Sequence, residues 1–192
     1  MTEGILKIVK SIVRLNKAEE EAFLSILEVK KLKKNEILLR EGQVCHFIIF
    51  IQTGCLRYFY MKDGEEITGQ FFIENNWYTD FDSFIRSKPA EQSIQALENT
   101  VCLLISKRKL EQLYIDFPVF ERFGRIMTEQ GFLGLYNANR VATLLTSEER
   151  YLAFIKNQPS IVQRVPQHYI ASYLGLKPQS LSRIRKRLFL KK

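Results

Sequence analysis

Gln179, Arg183 and Lys186 stand three and four residues apart near the end of the sequence, inside the segment YIASYLGLKPQSLSRIRKRL, residues 169–188. On a helix that spacing puts all three on one side. Glutamine carries a donor and an acceptor on one planar amide, and arginine a fork of donors. Each can therefore make paired hydrogen bonds to the edge of a base, which assigns Gln179 and Arg183 to base reading and Lys186 to the rim. Arg185, Arg187, Lys191 and Lys192 are suited to phosphate oxygens, and Ser182 points outward beside the reading residues as a further DNA-binding candidate. Lys177 and Ser180 fall at a helix start, where unpaired N–H groups favour an anion. The chemistry on offer is recognition of a polyanion, without bond-making.

The charge distribution points the same way. The 192 residues carry a net charge of +8, yet after Glu149 there is no acidic residue and ten basic ones, from Arg150 through Arg164 to Lys191 and Lys192. The rest of the chain holds 19 basic residues against 21 acidic. A near-neutral body joined to a basic end is the electrostatic footprint of a polyanion-binding unit.

Other chemistries lack their residues. His46 and His168 are far apart, and Cys45, Cys55 and Cys102 are scattered without a CxxC pair. Neither a catalytic triad nor a metal or iron–sulfur site is expected, no cofactor is evident, and the chain is not expected to be an enzyme. Free buried cysteines suit a reducing compartment. No apolar run approaches the ~20 residues that span a bilayer, and MTEGILKIVKSIVRLNKAEEEAF lacks a small-residue cleavage site. The expected location is the cytoplasm.

The reading residues need elements to hold them. VPQHYIASYLGL predicts a helix starting after Val165, with Ile170, Ala171 and Leu174 facing inward. Gly175 falls where the chain must reverse through the left-handed region, Leu176 plugs the corner, and Pro178 opens a second helix with Leu181, Ile184 and Leu188 as its buried stripe. Helix, glycine turn, helix is a helix-turn-helix. Before it, TSEERYLAFI predicts a helix capped by Ser147, with Tyr151, Leu152 and Ile155 as its core face.

Upstream the texture changes. Residues 1 to about 30 read as helical, with Asn16 as a cap. From Asn35 to Ser106, short β-branched and aromatic segments alternate with Glu41-Gly42, Thr53-Gly54, Asp63-Gly64 and Asn75-Asn76, which predicts a small antiparallel barrel or jelly roll. A helix starts at Ser106, and DFPVFERFGRIMTEQGFLGLYNANRVATLL makes a longer one. Gly124, Met127, Gly131, Gly134, Ala138, Val141 and Leu145 recur at alternating steps of three and four, the pattern of a helix–helix seam. Phe123, Ile126, Leu133 and Tyr136 supply a second side for the protein's own barrel. A long helix with two apolar sides suggests a dimer. The alternative is that GFLG breaks it into two helices within one monomer.

IASYLGLKPQSLSRIRKRL resembles the helix-turn-helix of the Crp/Fnr superfamily of bacterial transcription regulators, and FIIFIQTGCLRYFY followed by DGEE is similar to that family's roll. The resemblance implies an α+β fold: an antiparallel, jelly-roll-like β-roll with flanking helices, a long dimerisation helix, and a C-terminal winged helix-turn-helix. The matching spans are residues 1–115, 116–145 and 146–192. Cyclic-AMP-binding members carry a Gly-Glu pair that holds the ribose and an Arg-Ser/Thr pair that clamps the cyclic phosphate. Here those places fall on Thr79-Asp80 and Ala90-Glu91. Ala90 cannot replace an arginine fork, and Asp80, Asp82 and Glu91 would repel a phosphate. These five residues form the candidate effector pocket, and cyclic-nucleotide binding in the usual way is not expected. After Leu188 only FLKK follows, so the wing is expected to be short, with IVQRV as one of its strands.

The expected function is dimeric, sequence-specific DNA binding in transcription regulation. Partners are double-stranded DNA with a two-fold-symmetric operator and a second copy of the chain; RNA polymerase and an unidentified small-molecule effector are further candidates, and a membrane is not. The rival is a ligand-binding signalling module whose basic end contacts RNA or a protein.

Overall fold

The structure, a computed structural model, describes residues 2–190. Two helices lead the chain, α1 (Glu3–Ile12) and α2 (Lys17–Ser25). Asn16 caps α2 in a reciprocal box, its side chain accepting from Glu19 N while the Glu19 carboxylate accepts from Asn16 N. The helical reading runs a few residues too far, because β1 (Glu28–Leu32) has begun before residue 30.

The roll follows as β2 (Ile37–Leu39), β3 (Phe47–Thr53), β4 (Leu56–Lys62), β5 (Glu65–Phe72), β6 (Trp77–Tyr78), a short helix α3 (Phe81–Arg86), β7 (Ser93–Ala96) and β8 (Thr100–Ser106). Two four-stranded antiparallel sheets result, ordered β1-β8-β3-β6 and β2-β7-β4-β5. Asp63 and Gly64, both at positive φ, make the two-residue turn between β4 and β5. That geometry matches the twist of the paired strands.

β3 shows why the sequence there is almost unbroken apolar. Ile49 and Ile51 point between the sheets, with Leu39, Leu56, Ile94 and Cys102. Phe50 points the other way, into a second core formed with Ile5, Val9, Phe23, Leu103, Phe120 and Phe123. A strand buried on both faces has no need of alternation. The three cysteines are free and buried, and burial pushes the Cys55 and Cys102 thiols up to about 12. Ile49→Ala should cost about 2–5 kcal/mol, read as a lower urea midpoint at unchanged slope, since Ile49 has no exposed surface.

After β8 come α4 (Lys107–Asp116), capped by Ser106, and α5 (Val119–Leu144). α5 is one unbroken helix of 26 residues, so GFLG does not divide it. Its first half packs on the roll through Phe120 and Phe123. Its second half stands clear, and Leu133 and Tyr136, expected against the barrel, are 57% and 61% exposed.

The chain ends in α6 (Ser147–Asn157), α7 (Pro159–Arg164), α8 (Gln167–Tyr173) and α9 (Pro178–Leu190). Thr146 rather than Ser147 caps α6, in a box with Glu149. Phe154 takes the core place expected of Leu152, which is 41% exposed. IVQRV is not a strand. Pro159 begins α7, and Ile161 and Val165 turn into the core. A strand there would need a neighbour to take its backbone bonds, whereas a helix satisfies them locally.

Candidate nucleic-acid interface

The turn between α8 and α9 is built by backbone bonds that only one conformation allows. Gly175 has φ +67°, Gly175 N donates to Ser172 O at 3.0 Å, and Leu176 N donates to Ala171 O at 2.8 Å. This is the Schellman closure, with a left-handed residue ending the helix. Ala171 is fully buried beneath it, and Leu181 and Ile184 of α9 pack into the same core.

With those side chains inward, the outer surface of α9 is defined. Gln179, Ser182, Arg183, Arg185, Lys186 and Arg187 are exposed, Ser180 is half-buried, and exposed Lys177 precedes the helix. Gln179, Arg183 and Lys186 share one side. Arg187 is paired within the chain, to the Glu148 carboxylate on α6 at 2.7 Å. Of the terminal FLKK, Phe189 and Leu190 continue the helix, while Lys191 and Lys192 lie outside the described residues.

The proposed effector-pocket residues come together on the roll but are engaged with their own chain. The Thr79 hydroxyl donates to Phe47 O at 2.8 Å, and the Asp80 carboxylate caps α3 by accepting from Ser83 N at 3.1 Å. Ala90 is buried, its N–H donating to Gln43 O at 2.8 Å. Asp82 pairs with Arg86 and Lys88, and Lys88 also reaches Glu91 at 3.3 Å. The acidic pattern of this loop in sequence does not reveal these cations. They offset the charges of Asp82 and Glu91, and the Lys88 ammonium holds the Asp82 carboxyl below its ordinary range. Beside them the roll is filled with rings: Phe72 stacks on Tyr78 with centroids 4.0 Å apart, Tyr58 stacks on Tyr78 at 5.5 Å, and Gln92 Nε2 donates to the Tyr78 hydroxyl at 2.6 Å.

The seam residues divide between two surroundings. Gly124 lies against Tyr114 of α4, and a Cβ there would overlap the phenol, so this glycine serves an approach within the chain. Nothing lies within 4 Å of a Cβ built at Gly131 or Gly134, and Ala138 is exposed. Met127 and Val141 are half-buried. Phe132 and Leu135, beside the open glycines, are 69% and 70% exposed.

Among the described residues no helix is long and apolar enough to cross a membrane. The fold defines the class, a two-sheet roll joined by a long helix to a helix-turn-helix. Residues 29–116 match the cyclic nucleotide-binding domain family. The chain is 28% identical to the transcriptional activator protein FnrA of Stutzerimonas stutzeri and 26% identical to the transcriptional activator protein Anr of Pseudomonas protegens. Each match covers 81% of this chain and 68% of the relative. The structure of FixK2 from Bradyrhizobium japonicum superposes with a TM-score of 0.74 at 17% identity, over 86% of each chain. In sequence and in fold the chain is thus similar to transcription regulators that join such a roll to a DNA-binding end. Its curated relatives are activators of transcription, not enzymes.

Proposed function

We propose that the protein is a cytoplasmic, homodimeric transcription regulator that reads a two-fold-symmetric DNA site through α9. The observation that carries this is the exposed row Gln179, Arg183 and Lys186 on a helix whose opposite stripe is locked into the core. Gln179 and Arg183 read base edges, and Lys177, Ser180, Ser182, Arg185, Arg187 and Lys186 position the helix on phosphates and at the rim. Dimerisation runs through the free half of α5, where Gly131, Gly134 and Ala138 let a second helix approach and Phe132 and Leu135 supply apolar area.

The roll does not take cyclic AMP in the usual way. The place of the phosphate clamp is held by buried Ala90, and the interior beside it is occupied by Tyr58, Phe72 and Tyr78. Millimolar cyclic AMP should therefore leave the melting temperature unchanged, whereas binding at 100 times Kd would add about 2.7 kcal/mol of stability. A clear upward shift would restore the nucleotide site.

Selection of bound sequences from a random duplex library, with the winner titrated against salt, tests the main reading. A palindromic consensus with half-sites about 10 base pairs apart and a steep salt slope is expected. Binding to RNA or to any duplex equally would instead favour a signalling module with a basic end.

A further inference from the structure

The helix-turn-helix unit is held on the roll at two separate points as well as through the covalent chain. The first is Arg57 of β4, among the described residues the only charged side chain of the largest fully buried ones. Its Nε and Nη2 donate to Gln95 Oε1 at 3.0 and 2.7 Å, Nη1 donates to Thr68 Oγ1 at 3.1 Å, and Nη2 pairs with the Glu66 carboxylate. All these partners belong to the roll. The guanidinium carbon lies over the Phe59 ring at 4.2 Å from its centre and over the ring of Tyr169 of α8 at 3.8 Å. Ser172, one turn along α8, takes the main chain of the same two roll residues. Its hydroxyl accepts from Thr68 N at 2.9 Å and donates to Glu66 O at 3.1 Å. β5 is the outer strand of its sheet, so α8 supplies the partner that a neighbouring strand would have given.

The second point lies beyond the other end of β5. Arg164 of α7 donates its two Nη atoms to the two oxygens of Glu74, both at 2.9 Å, and also pairs with Glu98. Glu74 accepts from Gly54 N at 2.8 Å as well, which holds the carboxylate toward the roll. This fork holds the Glu74 carboxyl down at about 2, so the pair is fully charged at neutral pH. Between the two points Phe71 of β5 packs against Phe154 and Tyr173, and Cys55 and Leu97 join the same core. Two polar anchors with an apolar contact between them restrain both sliding and rotation.

We infer that Arg57 with Tyr169 and Ser172, and Arg164 with Glu74 and Glu98, form a clamp that sets the orientation of the recognition helix on the roll of its own chain. Arg57 and Arg164 are thus positioning residues for DNA reading and do not touch DNA. This rests on the DNA-reading function proposed above. Because the Schellman turn joins α8 rigidly to α9, a fixed α8 means a fixed α9. In a dimer the clamp and the α5 pairing together determine one separation of the two reading helices.

The test compares the full chain with Arg164→Gln, Ser172→Ala and, as a contact control, Arg183→Ala. Two readouts are taken: amide exchange along β5, and binding to a library in which the selected half-sites are set at varied spacing. The clamp predicts exchange of the β5 amides raised roughly tenfold or more in Arg164→Gln and Ser172→Ala, with β3 amides unchanged. It also predicts a broadened range of accepted spacings with the half-site bases kept, whereas Arg183→Ala changes base preference and keeps β5 protected. Unchanged β5 exchange in both clamp variants overturns the inference. So does an Arg164→Gln protein that loses affinity equally at every spacing with a salt slope lower by about one, since that identifies a phosphate contact. If the unaltered protein selects no sequence, the function proposed above fails, and the exchange data alone still decide whether the clamp holds the two units.

Discussion

Arg183→Ala will lose about 1–3 kcal/mol of binding per half-site, roughly 5- to 150-fold, and the loss will be concentrated at one base pair. Arg183 is exposed, shares its side of α9 with Gln179 and Lys186, and lies next to Ile184, which is buried. The substitution therefore removes a guanidinium from the surface without opening the core, and the melting temperature should hold. Binding measured on a panel of single-base operator variants gives the answer. A pattern flattened at one position identifies base reading. An equal loss on specific and random duplexes would reduce Arg183 to a phosphate contact and shift base recognition to Gln179.

Phe132→Glu combined with Leu135→Glu will convert a dimer to a monomer and lower operator affinity by on the order of 100- to 10,000-fold, because each half-site is then bound without its tethered twin. Both side chains are more than two-thirds exposed and stand on the part of α5 beyond the roll, so their replacement should leave the single chain folded. Two glutamates on each helix would face two on its partner, adding like-charge repulsion to the lost apolar contact. Light scattering and operator titration on the same samples check the result. A dimer that persists at full affinity would move the interface elsewhere.

These two predictions concern surfaces, and surfaces are where the sequence spoke most clearly. The stripe Leu181, Ile184 and Leu188 defines which side of α9 is outside, and Gly175 with Pro178 marks where one helix stops and the next begins. Asp63-Gly64 locates a hairpin for the same reason, since few residue pairs tolerate its backbone. Local signals of this kind depend on neighbours in sequence, so they survive without any knowledge of the fold.

Local sequence signals mislead where a residue's role depends on a distant partner. IVQRV has the β-branched residues of a strand, but Pro159 starts a helix whose Ile161 and Val165 turn into the core shared with Phe71. Leu133 and Tyr136 have the right spacing to meet the barrel, yet α5 has already passed its edge. Gly124 fits a seam by periodicity and is used against Tyr114. The acidic look of Asp82 and Glu91 omitted Lys88 and Arg86, whose ion pairs exist only because α3 folds the loop back on itself.

By itself the sequence determined that a strand-rich roll precedes a long helix and a helix-turn-helix, where the glycine turn falls, which side of α9 faces outward and that positive charge is concentrated after Glu149. Only the tertiary structure decided how that charge is spent. A count cannot tell Arg164, locked on Glu74 and Glu98, from Arg183, turned to solvent. Nor does LRYFYM reveal that Arg57 is wholly buried with Tyr169 stacked on its guanidinium. Charge and periodicity are properties of the chain, whereas burial and pairing require two distant segments to meet. Here the core of the C-terminal helices continues into the roll through Cys55, Phe71 and Leu97, so the last quarter of the chain is placed by residues far before it in sequence.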